Sequence, residues 1–256
     1  MRIVIKVGTS TLTYSTGRLN IRRVEELVKV ISDIKNAGNE VIFVSSGAIG
    51  MGMGKMNLRS RPSDMPSKQA VAAVGQCELM YTYDRLFSKY NHTVAQILLT
   101  AEDTDYEQRR ENFNNTINRL LDYGVLPVIN ENDTIATSEI SVGDNDTLAA
   151  IVAVVTNADL LVLLSDIDGL YTSDPSSNPE AELIKEVDQI DESIISCAGG
   201  SVSGLGTGGM STKIKAAKLV TGHGCDMIIT NGDKPEVLYD IMDGKHPGTL
   251  FKGSKT

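Results

Sequence analysis

The 256-residue chain is 41% hydrophobic and 22% charged, enough apolar material for a sizeable core and far from the composition of a disordered chain. Its 33 acidic and 24 basic residues leave a formal charge of −9 and an isoelectric point near 4.9. That argues against a nucleic-acid partner, because neutralising a phosphate backbone wants a basic face.

No apolar run approaches the roughly 18 residues of a membrane span, so no membrane partner is expected. Cys77, Cys197 and Cys225 are widely spaced and form no CxxC pair, which reads as reduced thiols in a cytoplasmic protein. The length sits at the edge of what one core supports, roughly 250 to 300 residues, and the expectation is one domain over the whole chain.

In chain order, short apolar runs recur at Ile3 to Val7, Glu40 to Val44, Thr93 to Leu98, Val125 to Ile129, Leu160 to Leu164 and Asp226 to Ile229. They lack strict alternation, which predicts strands buried on both faces of a mostly parallel sheet. Between them the spacing predicts helices. One is capped by Asn20, turns Ile21, Val24, Leu27, Val28, Ile31 and Ile34 inward, and stops at Gly38. A second runs from about Tyr106 to Asp122 with Phe113, Ile117, Leu120 and Leu121 inward and Gly124 beyond its end. A third starts near Met210 and aligns Ile214, Ala217 and Val220 before Gly222. Strands alternating with helices predict a three-layer α/β/α sandwich, with ligands at the carboxyl ends of the strands. The glycine-dense stretches Gly47 to Gly54 and Gly199 to Gly209 read as loops at strand ends.

Four segments that follow predicted strands hold the unusual residues. Lys6-Val7-Gly8-Thr9-Ser10 ends the first strand in a lysine and a small-residue turn. A lysine in an apolar strand needs an anionic partner, unless its stem reaches back to solvent. Val44-Ser45-Ser46-Gly47-Ala48 runs into hydroxyls and glycines at a helix start, where free amides favour phosphate or carboxylate, although an ordinary capped helix fits equally. Asn130-Glu131-Asn132-Asp133 and Gly143-Asp144-Asn145-Asp146 could hold an ammonium group, orient lysines or touch hydrated Mg²⁺. Either stretch alone could be a solvated loop, but Asp146 opens an apolar helix, Leu148 to Val155. Ser203 to Lys213 is rich in glycine and can form an amide nest for oxygen anions, with a helix N-terminus and Lys213 aimed at the same point; a flexible loop without a ligand is the alternative.

Other chemistries fit poorly. The Gly-x-x-x-x-Gly-Lys-Ser/Thr spacing of a P-loop does not occur, His92, His223 and His246 lack metal-ligand spacing, and protein-kinase and GxSxG signatures are missing. Phosphoryl transfer remains within reach, because it needs positioning and charge stabilisation more than covalent chemistry.

These four segments, in this order, resemble the glutamate 5-kinases of the amino acid kinase family, and the likeness runs from Ile3 to about Phe251. The resemblance implies transfer of a phosphoryl group from ATP to the γ-carboxylate of L-glutamate, the first step towards proline. It implies that Lys6 and Lys213 act on the transferring group and that Asp146 positions them. Ser46, Asp133 and Asn145 would bind glutamate. Lys6, Ser165, Asp166, Thr207, Gly208, Gly209, Met210, Ser211, Thr212 and Lys213 would bind ATP, and the run Ser165 to Tyr171 would line the nucleotide cleft.

No residue is assigned to a metal, Mg²⁺ being expected to arrive mainly on ATP. The family also raises the expectation of a homo-oligomer, feedback by proline and a functional link to γ-glutamyl phosphate reductase. Many members continue into a C-terminal PUA domain, which is not expected here because the chain stops at Thr256. The competing readings are a sister kinase acting on N-acetylglutamate or another small acceptor, and a catalytically silent amino-acid sensor. Asp133 speaks against the first, since a carboxylate suits a free α-ammonium, and retention of both lysines speaks against the second.

Overall fold

The computed structural model describes residues 1–14, 18–135, 145–198 and 209–254. In chain order the elements are β1 (Arg2–Val7), α1 (Thr9–Leu12), α2 (Ile21–Asn36), β2 (Glu40–Ser45), α3 (Ala48–Met56), α4 (Met65–Phe87), β3 (Val94–Leu99), α5 (Ala101–Asp105), α6 (Glu107–Asp122) and β4 (Leu126–Glu131). There follow α7 (Asn145–Val155), β5 (Leu160–Ser165), β6 (Glu186–Val187), α8 (Glu192–Cys197), α9 (Met210–Thr221), β7 (Asp226–Asn231), α10 (Val237–Met242) and β8 (Thr249–Phe251).

Among the described residues the eight strands form one sheet in the order β3-β4-β2-β1-β5-β7-β8-β6. All pairings are parallel except β7 with β8. The chain builds outward from β1 to β2, β4 and β3 on one side, then returns to lay β5 and β7 on the other. This reversal opens a crevice at the carboxyl ends of β1, β2 and β5, where an open α/β sheet takes its ligands.

The strands alternate their side chains between two cores, as a period of two requires. Ile3, Ile5 and Val7 join Phe43, Val162 and Leu164 under α2, α4 and α10. Val4 faces the other way, with Ile42, Val44, Leu161 and Leu163 under α6, α7 and α9. Lys6 shares the parity of Val4, so its side chain falls on the α7 and α9 side. This is the expected three-layer sandwich, with helices burying both faces of a mostly parallel sheet.

The three predicted helices form with the anticipated ends. Asn20 caps α2 by accepting from Arg23 N–H at 3.2 Å, and Gly38 and Gly124 follow α2 and α6 with φ of 91° and 70°. Ile21, expected to face inward, is 62% exposed; it is the first helical residue and lies beyond the apolar stripe that starts at Val24.

The stretch Gly47 to Gly54 is not a loop: its residues from Ala48 onward form α3. The glycines serve a helix crossing. A Cβ on Gly52 would lie 2.0 Å from the carbonyl of Val71, and one on Gly75 of α4 would lie 1.7 Å from that of Ala48. Helix α4 itself was not singled out by apolar spacing, because its inward face mixes Val71, Ala72, Gly75, Gln76, Leu79 and Tyr83. Its start is nonetheless marked by Asp64, which accepts from Ser67 N–H at 2.9 Å, and by a proline in the first turn.

Candidate active site

At the carboxyl end of β1, Lys6 lies in register with Val44 of β2 and Leu163 of β5. Its Nζ is 2.5 Å from Oδ1 of Asp146. On the opposite side Lys213 donates to Oδ2 of the same carboxylate at 2.9 Å. Asp146 is fully buried, and Lys6 and Lys213 are 7% and 5% exposed.

Each member is placed by its element. Lys6 comes from a central strand, Asp146 from the first turn of α7 and Lys213 from the first turn of α9. Burial alone would push the Asp146 carboxyl up, but the two ammonium groups outweigh it and hold the group well below the usual carboxylate range. Two positive charges against one negative leave the cluster with an excess of one, so a buried anion placed beside it would be stabilised. Gly8 lies beside this cluster, its Cβ position 3.7 Å from Lys6 Nζ, an ordinary contact distance.

Two more of the predicted residues, Ser46 and Asn145, meet beside this cluster. Asn145, next to Asp146 at the start of α7, donates through Nδ2 to Ser46 Oγ at 2.8 Å and to Asn130 Oδ1 at 2.9 Å, with the Ser45 carbonyl at 3.3 Å. Its own Oδ1 is buried and has no hydrogen-bond partner among the described residues. Asp133, two residues past the end of β4, is half-buried. Loss of solvent and the neighbouring charge of Glu131 push its carboxyl up to about 6, against an opposing pull from Arg61.

Of the nucleotide-side residues, Ser165 is buried at the end of β5 and donates to Asp166 Oδ1 at 3.1 Å, while Asp166 itself is exposed. Gly209 caps α9, and Met210, Ser211, Thr212 and Lys213 form its first turn. Thr212 Oγ1 donates to the Gly209 carbonyl at 2.7 Å, and the first amides of that turn have no side-chain cap and no helical acceptors, as at any helix start. Thr207 and Gly208 lie outside the described residues.

Of the four residues beneath the site, Asn130 and Ser45 stand in segments already marked by the sequence, whereas Gln76 and Tyr83 do not. Asn130, Gln76, Ser45 and Tyr83 are buried polar groups that touch one another or the predicted residues. Gln76 carried one signal, since it stands on the inward stripe of α4 with Ala72, Leu79 and Tyr83, where a polar residue calls for a buried partner.

Among the described residues no three His, Cys, Asp or Glu side chains converge as a metal cage, and both oxygens of Asp146 face lysines. The exposed carboxylate of Asp166 at the end of β5 is a donor that would fit the hydration shell of a Mg²⁺ ion bound to nucleotide phosphates.

Comparison with known proteins identifies the family. Residues 1–231 match the family model described as the amino acid kinase family. A glutamate 5-kinase of Clostridium perfringens is 52% identical over 99% of this chain and 96% of its own length. One from Clostridium tetani is 54% identical over 99% and 95%. Among solved structures, the carbamate kinase from Giardia lamblia superposes with a TM-score of 0.71 at 17% identity, covering 99% of this chain and 98% of that one, a likeness of fold. A match that spans nearly the whole of each partner, at about half identity, shows that the chain belongs to the amino acid kinase family and, within it, to the glutamate 5-kinases.

Proposed function

We propose that this protein transfers the γ-phosphoryl group of ATP to the γ-carboxylate of L-glutamate, giving ADP and γ-glutamyl phosphate. The observation that carries the reading is the convergence of Lys6 and Lys213 on opposite oxygens of buried Asp146, in a chain about half identical to glutamate 5-kinases.

The cluster is preorganised for a phosphoryl group. Asp146 holds both ammonium groups in place, so neither must reorganise as the bond from the γ-phosphorus to the bridging oxygen breaks and negative charge builds on that oxygen of the departing ADP. Lys6, in the strand, and Lys213, at a helix N-terminus, neutralise that charge from two sides. The N-terminal turn of α9 holds the phosphates through the free amides of Met210, Ser211 and Thr212 and the side chain of Lys213, and Thr207 and Gly208 are assigned to the same nucleotide. Ser165 and Asp166 bound the nucleotide at the end of β5. Mg²⁺, when bound with ATP, supplies further neutralisation of phosphate charge. The acceptor needs no general base, because a γ-carboxylate is already ionised near neutral pH.

On the acceptor side, Asp133 pairs with the α-ammonium of glutamate, and Ser46 and Asn145 supply hydrogen bonds. An acetylated amine would leave the Asp133 charge unpaired, which separates this reading from a kinase of N-acetylglutamate. The same reading carries further expectations drawn from the family: a cytoplasmic homo-oligomer, feedback by proline, and a reductase that consumes the unstable acyl phosphate.

Hydroxylamine trapping of acyl phosphate tests the function directly. Hydroxamate should form with L-glutamate, ATP and Mg²⁺, and far less with aspartate or N-acetylglutamate. Equal or better turnover of N-acetylglutamate would sink the proposal.

A further inference from the structure

Beneath the acceptor side, four amide side chains form a chain of hydrogen bonds that runs from Asn145 on α7 through Asn130 at the end of β4 to Gln76 on α4 and Gln96 on β3. Asn145 Nδ2 donates to Asn130 Oδ1 at 2.9 Å, Asn130 Nδ2 to Gln76 Oε1 at 2.8 Å, and Gln76 Nε2 to Gln96 Oε1 at 3.2 Å. Asn130 and Gln76 are 2% and 8% exposed.

An amide can flip its nitrogen and oxygen, so the direction of such a chain must be fixed by groups of unambiguous role. Two are present. The Ser45 carbonyl, which can only accept, faces Asn145 Nδ2 at 3.3 Å. The Glu131 backbone N–H, which can only donate, reaches Asn130 Oδ1 at 2.9 Å. With both asparagines so oriented, Asn130 turns its nitrogen to α4, and it must find an acceptor there or be buried unsatisfied. Gln76 is that acceptor. The same polarity leaves Asn145 with its carbonyl Oδ1 unpartnered, so the face it has to offer a ligand is a hydrogen-bond acceptor, suited to an N–H of the substrate.

Helix α4 is held in place for this role independently of the amides. Gly75, adjacent to Gln76, packs against the Ala48 carbonyl at the start of α3. Tyr83, two turns on, shares a 2.7 Å hydrogen bond with Ser45 Oγ. The helix therefore supports Ser45, Ser46 and Asn130 from below through one face.

We propose that Gln76 is a positioning residue for the acceptor site: by accepting an amide proton of Asn130 it holds Asn130 where its Oδ1 anchors Asn145, and so keeps Asn145 in place with Oδ1 towards the substrate nitrogen. This rests on the reading of glutamate as acceptor.

The test is steady-state kinetics of Gln76→Met, which keeps the length but cannot accept, with Gln76→Glu, which keeps an acceptor oxygen, and both Asn145→Ala and the double variant. Gln76→Met should raise KM for glutamate about tenfold, the scale of one broken hydrogen bond in a buried network, and leave KM for ATP within about twofold. Gln76→Glu should recover most of that loss. In the Asn145→Ala background Gln76→Met should add less than about twofold, because its effect travels through Asn145. A loss that raises KM for both substrates alike, or that multiplies in full with Asn145→Ala, would overturn the assignment in favour of plain core packing. Should Gln76→Met fail to fold by circular dichroism, Gln76→Asn, whose amide is withdrawn by one methylene, reads the same cycle. A wild-type protein that forms no hydroxamate from glutamate would overturn the functional reading, and this inference with it; normal wild-type turnover with an unmoved KM in the variants overturns the inference alone.

Discussion

Lys213 and Asp146 meet at 2.9 Å with their side chains 7% and 1% exposed, and the second oxygen of that carboxylate takes Lys6. One buried acid thus sets the separation of two cations that come from distant parts of the chain. Asp146→Asn should keep the shape but leave two ammonium groups facing each other in a dry site. Breaking a buried pair in this way costs about 3–5 kcal/mol, to be measured by urea unfolding. The sign with pH follows from the depressed Asp146 carboxyl: its contribution is fully present above the ordinary carboxylate range and is lost as pH falls through the lower folded-state value. Wild type should therefore lose stability in strong acid more steeply than Asp146→Asn.

Removing either lysine should act on the chemical step. Lys213→Ala and Lys6→Ala should each lower kcat by on the order of 10² to 10³, the scale of one preorganised transition-state contact. Single-turnover measurements at saturating substrates check this. Near-normal turnover in either variant would remove that lysine from the reaction.

Asp133→Ala and Asn145→Ala should raise KM for glutamate and spare KM for ATP. The pH profile offers a sharper signature, because the Asp133 carboxyl is pushed up to about 6 by burial and by Glu131. As pH falls through 6 the carboxylate is protonated and its attraction for an ammonium disappears, so KM for glutamate should climb in wild type and stay flat in Asp133→Asn. The stability effect has the opposite sense. In the ligand-free protein the raised value means that ionising Asp133 costs stability as pH rises from 3.8 through about 6, and bound glutamate should offset this in a thermal-shift series.

Gly75→Ala should disturb stability and substrate binding together. Its Cβ would fall 1.7 Å from the Ala48 carbonyl, a backbone atom that cannot swing aside, so α3 and α4 must separate. Overpacking of this kind costs typically 1–3 kcal/mol. Because Ser46 lies two residues before the start of α3 and Gln76 follows Gly75, KM for glutamate should rise as well. Gly124→Ala offers a contrast: nothing lies within 4 Å of its Cβ position, so any loss there reflects φ of 70° and should leave KM unchanged.

The sequence by itself determined the parts whose cause is local. Strands buried on both faces read as unbroken apolar runs, and β1, β2, β4 and β5 form where those runs stand. Asn20 caps its helix through its own third neighbour. Lys6 stood out because a lysine in an apolar strand demands an anion, Lys213 because it stands where a glycine-rich run meets a helix N-terminus, and the resemblance to a known family supplied Asp146 as the residue between them. What only the tertiary structure decided are relations between distant segments. The glycines of α3 look like loop residues until α4 crosses within reach of their missing side chains. Strand order, which brings the starts of α7 and α9 to the same face of β1, depends on which edges pair, and every parallel order satisfies the same apolar pattern. Gln76 shows locally only that a polar side chain stands on an inward stripe and wants a buried partner; that the partner is Asn130 belongs to the packing of α4 against the sheet and not to the sequence around either residue.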